Sequence, residues 1–330
     1  MKALKKFTLL GSICLLIAAS AGCQSANTGG TAGKADSKTA FQGDKTEVYY
    51  VISFLSGLDY WKGVFGGFQK AGNQFGVETK YAGDPGYDIN KSVAVFEQVA
   101  ATKPAGIAVA AINADALKDP IDKARKEGIQ VVTYDSDSPN SNRSAFFSTG
   151  NEVAGEKAAD YMAKLMNKDG EVALLYTIGQ QNVEERINGF QNEIKNKYPN
   201  MKVVVQANDG GDQTKAATAL AAELQGKPKI KGVFAADGVA GLGAATAVRE
   251  AGKKDKIKII GFDTDKALLD LIKNGGVDAT MAQGTVNMGY WSMVSLFSLK
   301  HNLAPNPLPK NIDTGISIVT KENVKDYYVK

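Results

Sequence analysis

Residues 106–137 read GIAVAAINADALKDPIDKARKEGIQVVTYDSD. An apolar run, GIAVAA, leads through a small-residue turn into a segment with helical spacing that ends near Gly128. A second apolar run, IQVVTY, then stops on Asp135-Ser136-Asp137. Strand, helix and strand in that order form the unit of a parallel sheet covered by helices. The same order returns at residues 232–265, GVFAADGVAGLGAATAVREAGKKDKIKIIGFDTD, a few residues longer around Lys253–Lys256, and closes on Asp263-Thr264-Asp265. Two matched halves predict two similar α/β domains rather than one large sheet. In open sheets of this class ligands sit beyond the carboxyl ends of the strands, so both acidic pairs are expected at a cleft between the domains.

The alternation continues outward. VYYVISF, EVALLY, MKVVVQA and DATMAQ are further short strand-like runs, separated by helical patterns such as AGEKAADYMAKLM. A chain of 330 residues, 44% hydrophobic and 22% charged, has room for two domains with a core each. The N-terminus stands apart. Lys2, Lys5 and Lys6 precede an apolar run, Phe7 to Ala19, too short to span a bilayer, and then SAGC. That order is an export signal, placed at residues 1–22. The SAGC stretch resembles the lipobox of bacterial lipoproteins, with Ser20 where Leu is usual; the resemblance implies a lipid on Cys23. Residues 23–45, rich in Ser, Thr, Gly and Ala, read as a flexible tether.

Several chemistries are excluded. Cys14 leaves with the signal and Cys23 carries lipid, so the domains hold no cysteine for disulfides, thiol catalysis or metal ligation. Loss of Lys2, Lys5 and Lys6 brings the formal net charge from +4 to +1, and the lysines are scattered, which speaks against nucleic acid. His301 is the single histidine, so neither a catalytic triad nor a His-based zinc site can be assembled. Its place after a helix predicts a solvated C-terminal residue. GLGAAT at 241–246 is a poor dinucleotide fingerprint, because Asp237 occupies the turn where a pyrophosphate would sit. The Asp pairs lack the further ligands of a calcium loop. No cofactor, metal or catalytic residue is expected.

SFLSGLDYWKGVFGGFQKAG after the first strand, VVTYDSDSPNSNR, EERINGFQ, VFAADGVAGLGA, IIGFDTD and TMAQ occur in the order and spacing of a known family. Over about residues 46–325 the chain resembles the type I periplasmic binding proteins of sugar ABC transporters, the ribose-binding group. The resemblance implies two doubly wound, Rossmann-like parallel-sheet domains joined by a three-strand hinge with the ligand cleft between them. It divides the chain into residues 46–148 plus 284–312 and residues 149–283 plus 313–330. The crossings would fall near Ser148–Thr149, Gln283–Gly284 and Ile312–Thr314.

A monosaccharide is a ring of hydroxyls with apolar C–H faces. It is held by carboxylates and amides at the hydroxyls and by aromatic rings at the faces. The resemblance assigns Asp135 and Asp263 as hydroxyl acceptors, one from each half, and Arg186 as the cleft arginine rather than a surface partner of Glu184. It assigns Gln283 as the amide at the second crossing. Asp237 falls where ribose binders carry Asn, and remains an acceptor. Tyr60 and Trp61 match the paired aromatics of the first loop; Phe262 is a further stacking ring and Ser53 a hydroxyl contact. Asp265 or Thr264 is expected to cap the helix KALLDLIKN, and Asp137 to shape the turn before SPNSN.

Three departures argue against ribose itself: Leu58-Asp59 in place of Asn-Pro, Ala110 in place of a side-chain amide, and Gly211 near an aromatic position. The expected ligand is a pentose or hexose, and the expected partner an ABC permease served by a monomeric protein anchored outside the membrane. The same closed form would also serve a histidine kinase or chemoreceptor. DSDSPNSNR further resembles autoinducer-2 receptors, but the first-loop lysine of those receptors is missing; Phe54 follows Ser53.

Overall fold

The computed structural model describes residues 41–303 and 308–328. The signal and Cys23 lie outside that range. The first domain opens with β1 (Val48–Ser53), α1 (Asp59–Phe75), β2 (Glu78–Gly83), α2 (Ile89–Ala101), β3 (Gly106–Val109), α3 (Ala114–Lys126), β4 (Gln130–Tyr134) and β5 (Phe146–Ser148). The second follows with α4 (Asn151–Leu165), β6 (Gly170–Tyr176), α5 (Gln181–Lys197), β7 (Met201–Asn208), α6 (Gln213–Gly226), β8 (Ile230–Ala235), α7 (Ala240–Glu250), β9 (Lys258–Phe262), α8 (Lys266–Lys273) and β10 (Ala279–Gln283). The chain then returns to the first domain with α9 (Thr285–Lys300) and β11 (Asn311–Asp313) and finishes in the second with β12 (Ile316–Thr320).

Two six-stranded sheets result, ordered β11-β5-β4-β3-β1-β2 and β12-β10-β9-β8-β6-β7. Every pairing is parallel except β10 with β12. The predicted α/β architecture is therefore found, and the two sequence echoes are β3-α3-β4 and β8-α7-β9. Parallel strands are buried on both faces, which is why these runs are apolar without alternation. In β3 all of Gly106–Val109 is buried. Apolar layers cover each face of each sheet, Val51, Phe68, Val132 and Phe297 on one side of the first and Ile52, Ile107, Leu117 and Val131 on the other.

The chain passes between the sheets three times, at residues 148–151, 283–285 and 313–316. These segments run side by side. Thr314 N donates to Ser148 O (2.8 Å), Gly284 N to Gly315 O (3.2 Å) and Gly150 N to the Asp313 carboxylate (2.9 Å).

In each domain one helix pair approaches until backbones touch. A Cβ on Gly67 (α1) would stand 2.0 Å from Val286 O, and one on Gly289 (α9) 1.8 Å from Val64 O. In the second domain the pair is Gly155 (α4), 1.9 Å from Arg186 O, and Gly189 (α5), 2.1 Å from Glu152 O. The α4–α5 contact presses the backbone of Arg186 against the helix that leaves the hinge.

Three local expectations are corrected. Asp265 stands at the N-cap of α8 but makes no side-chain cap bond; helices α2, α3 and α6 are capped by Asp88, Asn113 and Asp212. The tether expected through Lys45 ends earlier, since Gly43 N already donates to Phe75 O at 2.8 Å. His301 is not freely solvated: its ring stacks on Phe297 at 4.2 Å and its Nε2 lies 3.0 Å from Glu47 Oε2.

Candidate functional site

The two repeats end in the same backbone geometry. Asp135 follows β4 with φ +60° and Asp263 follows β9 with φ +70°. Each N–H donates to the neighbouring strand, Asp135 to Phe147 O and Asp263 to Met281 O, both at 2.9 Å. The last ladder bond is thus kept while the chain turns left-handed. For most side chains that conformation costs about 1 kcal/mol or more, and Asp is one of the few residues that enter it readily. Strain held at matching points of two domains is a mark of a functional position.

Around Asp135 the partners come from the first domain. Tyr60 on the first turn of α1 donates to Oδ1 (2.6 Å), and the neighbouring Ser136 hydroxyl donates to Oδ2 (2.8 Å). Around Asp263 they come from the second crossing: Gln283 Nε2 donates to Oδ1 at 2.7 Å. Arg186 is 3% exposed and projects from α5 into the same place. Its Nε donates to Asn151 Oδ1 (2.8 Å), Nη1 to Ala236 O (3.0 Å) and Nη2 to Gln283 Oε1 (3.4 Å). Thr149 Oγ1 donates to that amide oxygen too, at 2.8 Å.

Electrostatics ties the halves together. Burial pushes the Asp263 carboxyl up to about 7, against the pull of Arg186 and Gln283, with Asp265 and Asp135 adding repulsion. Burial likewise raises Asp135, opposed by its Tyr60 and Ser136 hydrogen bonds and by Arg186. Tyr60 is raised by burial and by both carboxylates. Asp135 and Tyr60 from one domain therefore share one low-dielectric space with Asp263 and Arg186 from the other. The raised carboxyls carry a consequence for stability. A folded-state value near 7 against about 3.9 unfolded means that the folded protein binds the extra proton between those limits. Stability is then greatest at the acid end and is lost as pH rises toward 7. Ligand-free protein is expected to lose about 2–3 kcal/mol between pH 5 and 8 that Asp263→Asn does not lose. Urea melts of the two proteins at both pH values check this; parallel pH profiles would refute it.

The remaining candidates are placed differently. Asp237 is engaged within its own domain: Oδ1 accepts from Val239 N (3.1 Å) and Ala240 N (3.0 Å), and Oδ2 from Thr177 N (2.8 Å). It fastens the start of α7 to the β6–α5 loop and has little left for a ligand. Asp209, not foreseen, shares that arrangement. It is fully buried, accepts from Thr177 Oγ1 and Gly211 N, and is raised by burial and by the charge of Asp237. Phe262 is fully buried with the Arg186 guanidinium 3.8 Å above its ring, so it supports the arginine. The Ser53 hydroxyl is bonded to Tyr81, which donates onward to Ser56 O. Trp61 is packed edge-on against Phe54, Tyr60 and Tyr134, 3% exposed. Asp137 shapes the turn as expected, in an ion pair with Arg143 and with bonds from Thr133 Oγ1 and Ser138 N.

Residues 48–302 match the periplasmic binding protein domain family. The chain belongs to the type I periplasmic sugar-binding proteins. AraP, an arabinose-binding protein from Geobacillus stearothermophilus, superimposes with a TM-score of 0.83 at 45% identity, over 86% of this chain and 99% of that one. A sugar-binding protein of an ABC transporter from Bacillus halodurans gives 0.84 at 41% identity, over 86% and 100%. The D-allose-binding periplasmic protein of Escherichia coli is 29% identical over 73% of this chain and 80% of its own length. This periplasmic binding protein thus has the architecture of its relatives, and among its described residues no helix is long and apolar enough to cross a membrane.

Proposed function

We propose that this protein is the extracytoplasmic binding component of a monosaccharide importer, tethered by a lipid on Cys23, with a neutral pentose of the arabinose type as its ligand. The observation that carries the reading is the pair of left-handed aspartates, one per domain, meeting around Arg186 and Gln283. Carboxylates accept from hydroxyls and, being charged, contribute about 1.5–3 kcal/mol per hydrogen bond. Arg186 retains unspent N–H groups for a ring or hydroxyl oxygen, and Tyr60 lies against Asp135. Such a site favours uncharged polyols: a uronate or sugar phosphate would bring its negative charge toward two half-buried carboxyls with one arginine to offset it. The similarity to an arabinose-binding protein supports a pentose.

Closure brings Asp135 and Asp263 onto one ligand, so the bound sugar favours the closed form by contacts that neither domain makes alone. The permease then reads the closed form. Thermal-shift measurements with pentoses, hexoses and autoinducer-2, on protein lacking residues 1–23, test the assignment. At fifty times its dissociation constant the ligand is expected to stabilise by about 2 kcal/mol. Stabilisation by autoinducer-2 and by no sugar would overturn the reading.

A further inference from the structure

We infer that Thr149, in the first interdomain crossing, is a positioning residue for sugar binding that acts through the amide of Gln283. This rests on the reading of Asp263 and Gln283 as part of the sugar site. Thr149 and Gln283 belong to two different crossings, yet Thr149 Oγ1 donates to Gln283 Oε1 at 2.8 Å, and Gln283 Nε2 donates to Asp263 Oδ1 at 2.7 Å. The other bonds that lace the crossings, such as Thr314 N to Ser148 O and Gly150 N to the Asp313 carboxylate, stay within the hinge. Among the described residues, the Thr149 bond leads from the hinge to a half-buried carboxylate of the site.

The chemistry suits a rigid relay. Thr149 is 2% exposed, so water does not compete for its hydroxyl. A β-branched side chain is restricted at χ1, which limits the directions that hydroxyl can take. An amide can turn over end for end, which would aim its oxygen at Asp263 and set two acceptors against each other. The donors Thr149 and Arg186 on Oε1 prevent this, and the Arg186 contact is the longer at 3.4 Å. Because the Thr149 bond spans two crossings, its length depends on the hinge angle. The segment that rotates on closure therefore also sets the aim of Gln283 at Asp263.

Calorimetric titration with arabinose tests this in wild-type protein, Thr149→Val, Thr149→Ser, Gln283→Ala and the Thr149→Val/Gln283→Ala double variant. Thr149→Val is expected to bind about five- to tenfold more weakly, Thr149→Ser to recover to within about twofold, and Thr149→Val to add nothing once Gln283 is alanine. Wild-type affinity in Thr149→Val, or an equal loss in both backgrounds, overturns the inference. An unchanged affinity in Asp263→Ala would instead overturn the reading of the site itself. A readout without sugar decides independently: the carbon-13 carboxyl titration of Asp263 moves upward in Thr149→Val, as its Gln283 donor is held less firmly. An unmoved titration refutes the relay whatever the sugar data show.

Discussion

Gly289→Ala is expected to destabilise the protein by about 3 kcal/mol or more, whereas Gly66→Ala in the facing helix is expected to be neutral or to stabilise it slightly. The added methyl at 289 would lie 1.8 Å from the Val64 carbonyl oxygen and 2.7 Å from its carbon, both backbone atoms that no rotamer change can move. Helices α1 and α9 must separate, opening the layer formed by Phe68, Met288 and Phe297. Gly66 has nothing within 4 Å of its Cβ position and sits inside a helix, where Ala is preferred over Gly by about 1 kcal/mol. A melting temperature lowered by about 6–12 °C for Gly289→Ala, with none lost for Gly66→Ala, is the expected result. Equal melting temperatures for the two variants would show that the crossing is not the close contact described.

Asp263→Ala is expected to weaken sugar binding by about 1.5–3 kcal/mol, roughly ten- to a hundredfold, without unfolding the protein. The variant loses a charged acceptor and leaves Gln283 Nε2 without its partner. Asp263→Asn is the sharper variant, because Asn also tolerates a positive φ and keeps the shape while removing the charge. Asp237→Ala provides the contrast. Its carboxylate is bonded to the N–H groups of Thr177, Val239 and Ala240, so its removal is expected to cost about 1–2 kcal/mol of stability as a lost cap and to leave affinity nearly unchanged. Calorimetry and melts on the three variants separate the roles; a larger affinity loss for Asp237→Ala than for Asp263→Ala would reverse the assignment.

The repeat at 106–137 and 232–265 was legible because parallel-sheet physics writes itself into sequence as apolar runs, helical spacing and strand-end acids. Asp135, Asp263, Arg186 and Gln283 were singled out by the resemblance to the sugar-binding family; strand-end position by itself placed only the two acidic pairs at a cleft. Asp237 looked identical in sequence to Asp263, since both follow an apolar strand. What separates them is which N–H groups lie within reach, and that is decided by the neighbouring β6–α5 loop. Thr149, Asn151 and Asp209 are ordinary polar residues along the chain; tertiary contact alone makes them partners of Gln283, Arg186 and Asp237. Phe262 carried no sign that a guanidinium would cover it. Nothing in FGGFQ distinguishes Gly67 from Gly66; only the facing helix does.

The matched aspartates also bear on how the affinity would be apportioned. Each domain alone offers one half of a chelating ligand, and a single carboxylate with its escort of donors would hold a sugar hydroxyl weakly against water. Joined by three crossings that lie side by side, the second half meets the sugar already held by the first, at an effective concentration set by the hinge rather than by the solution. Lengthening or loosening those crossings would then lower affinity with every contacting side chain unchanged. Binding strength in this protein would reside as much in the span between residues 135 and 263 as in either carboxylate.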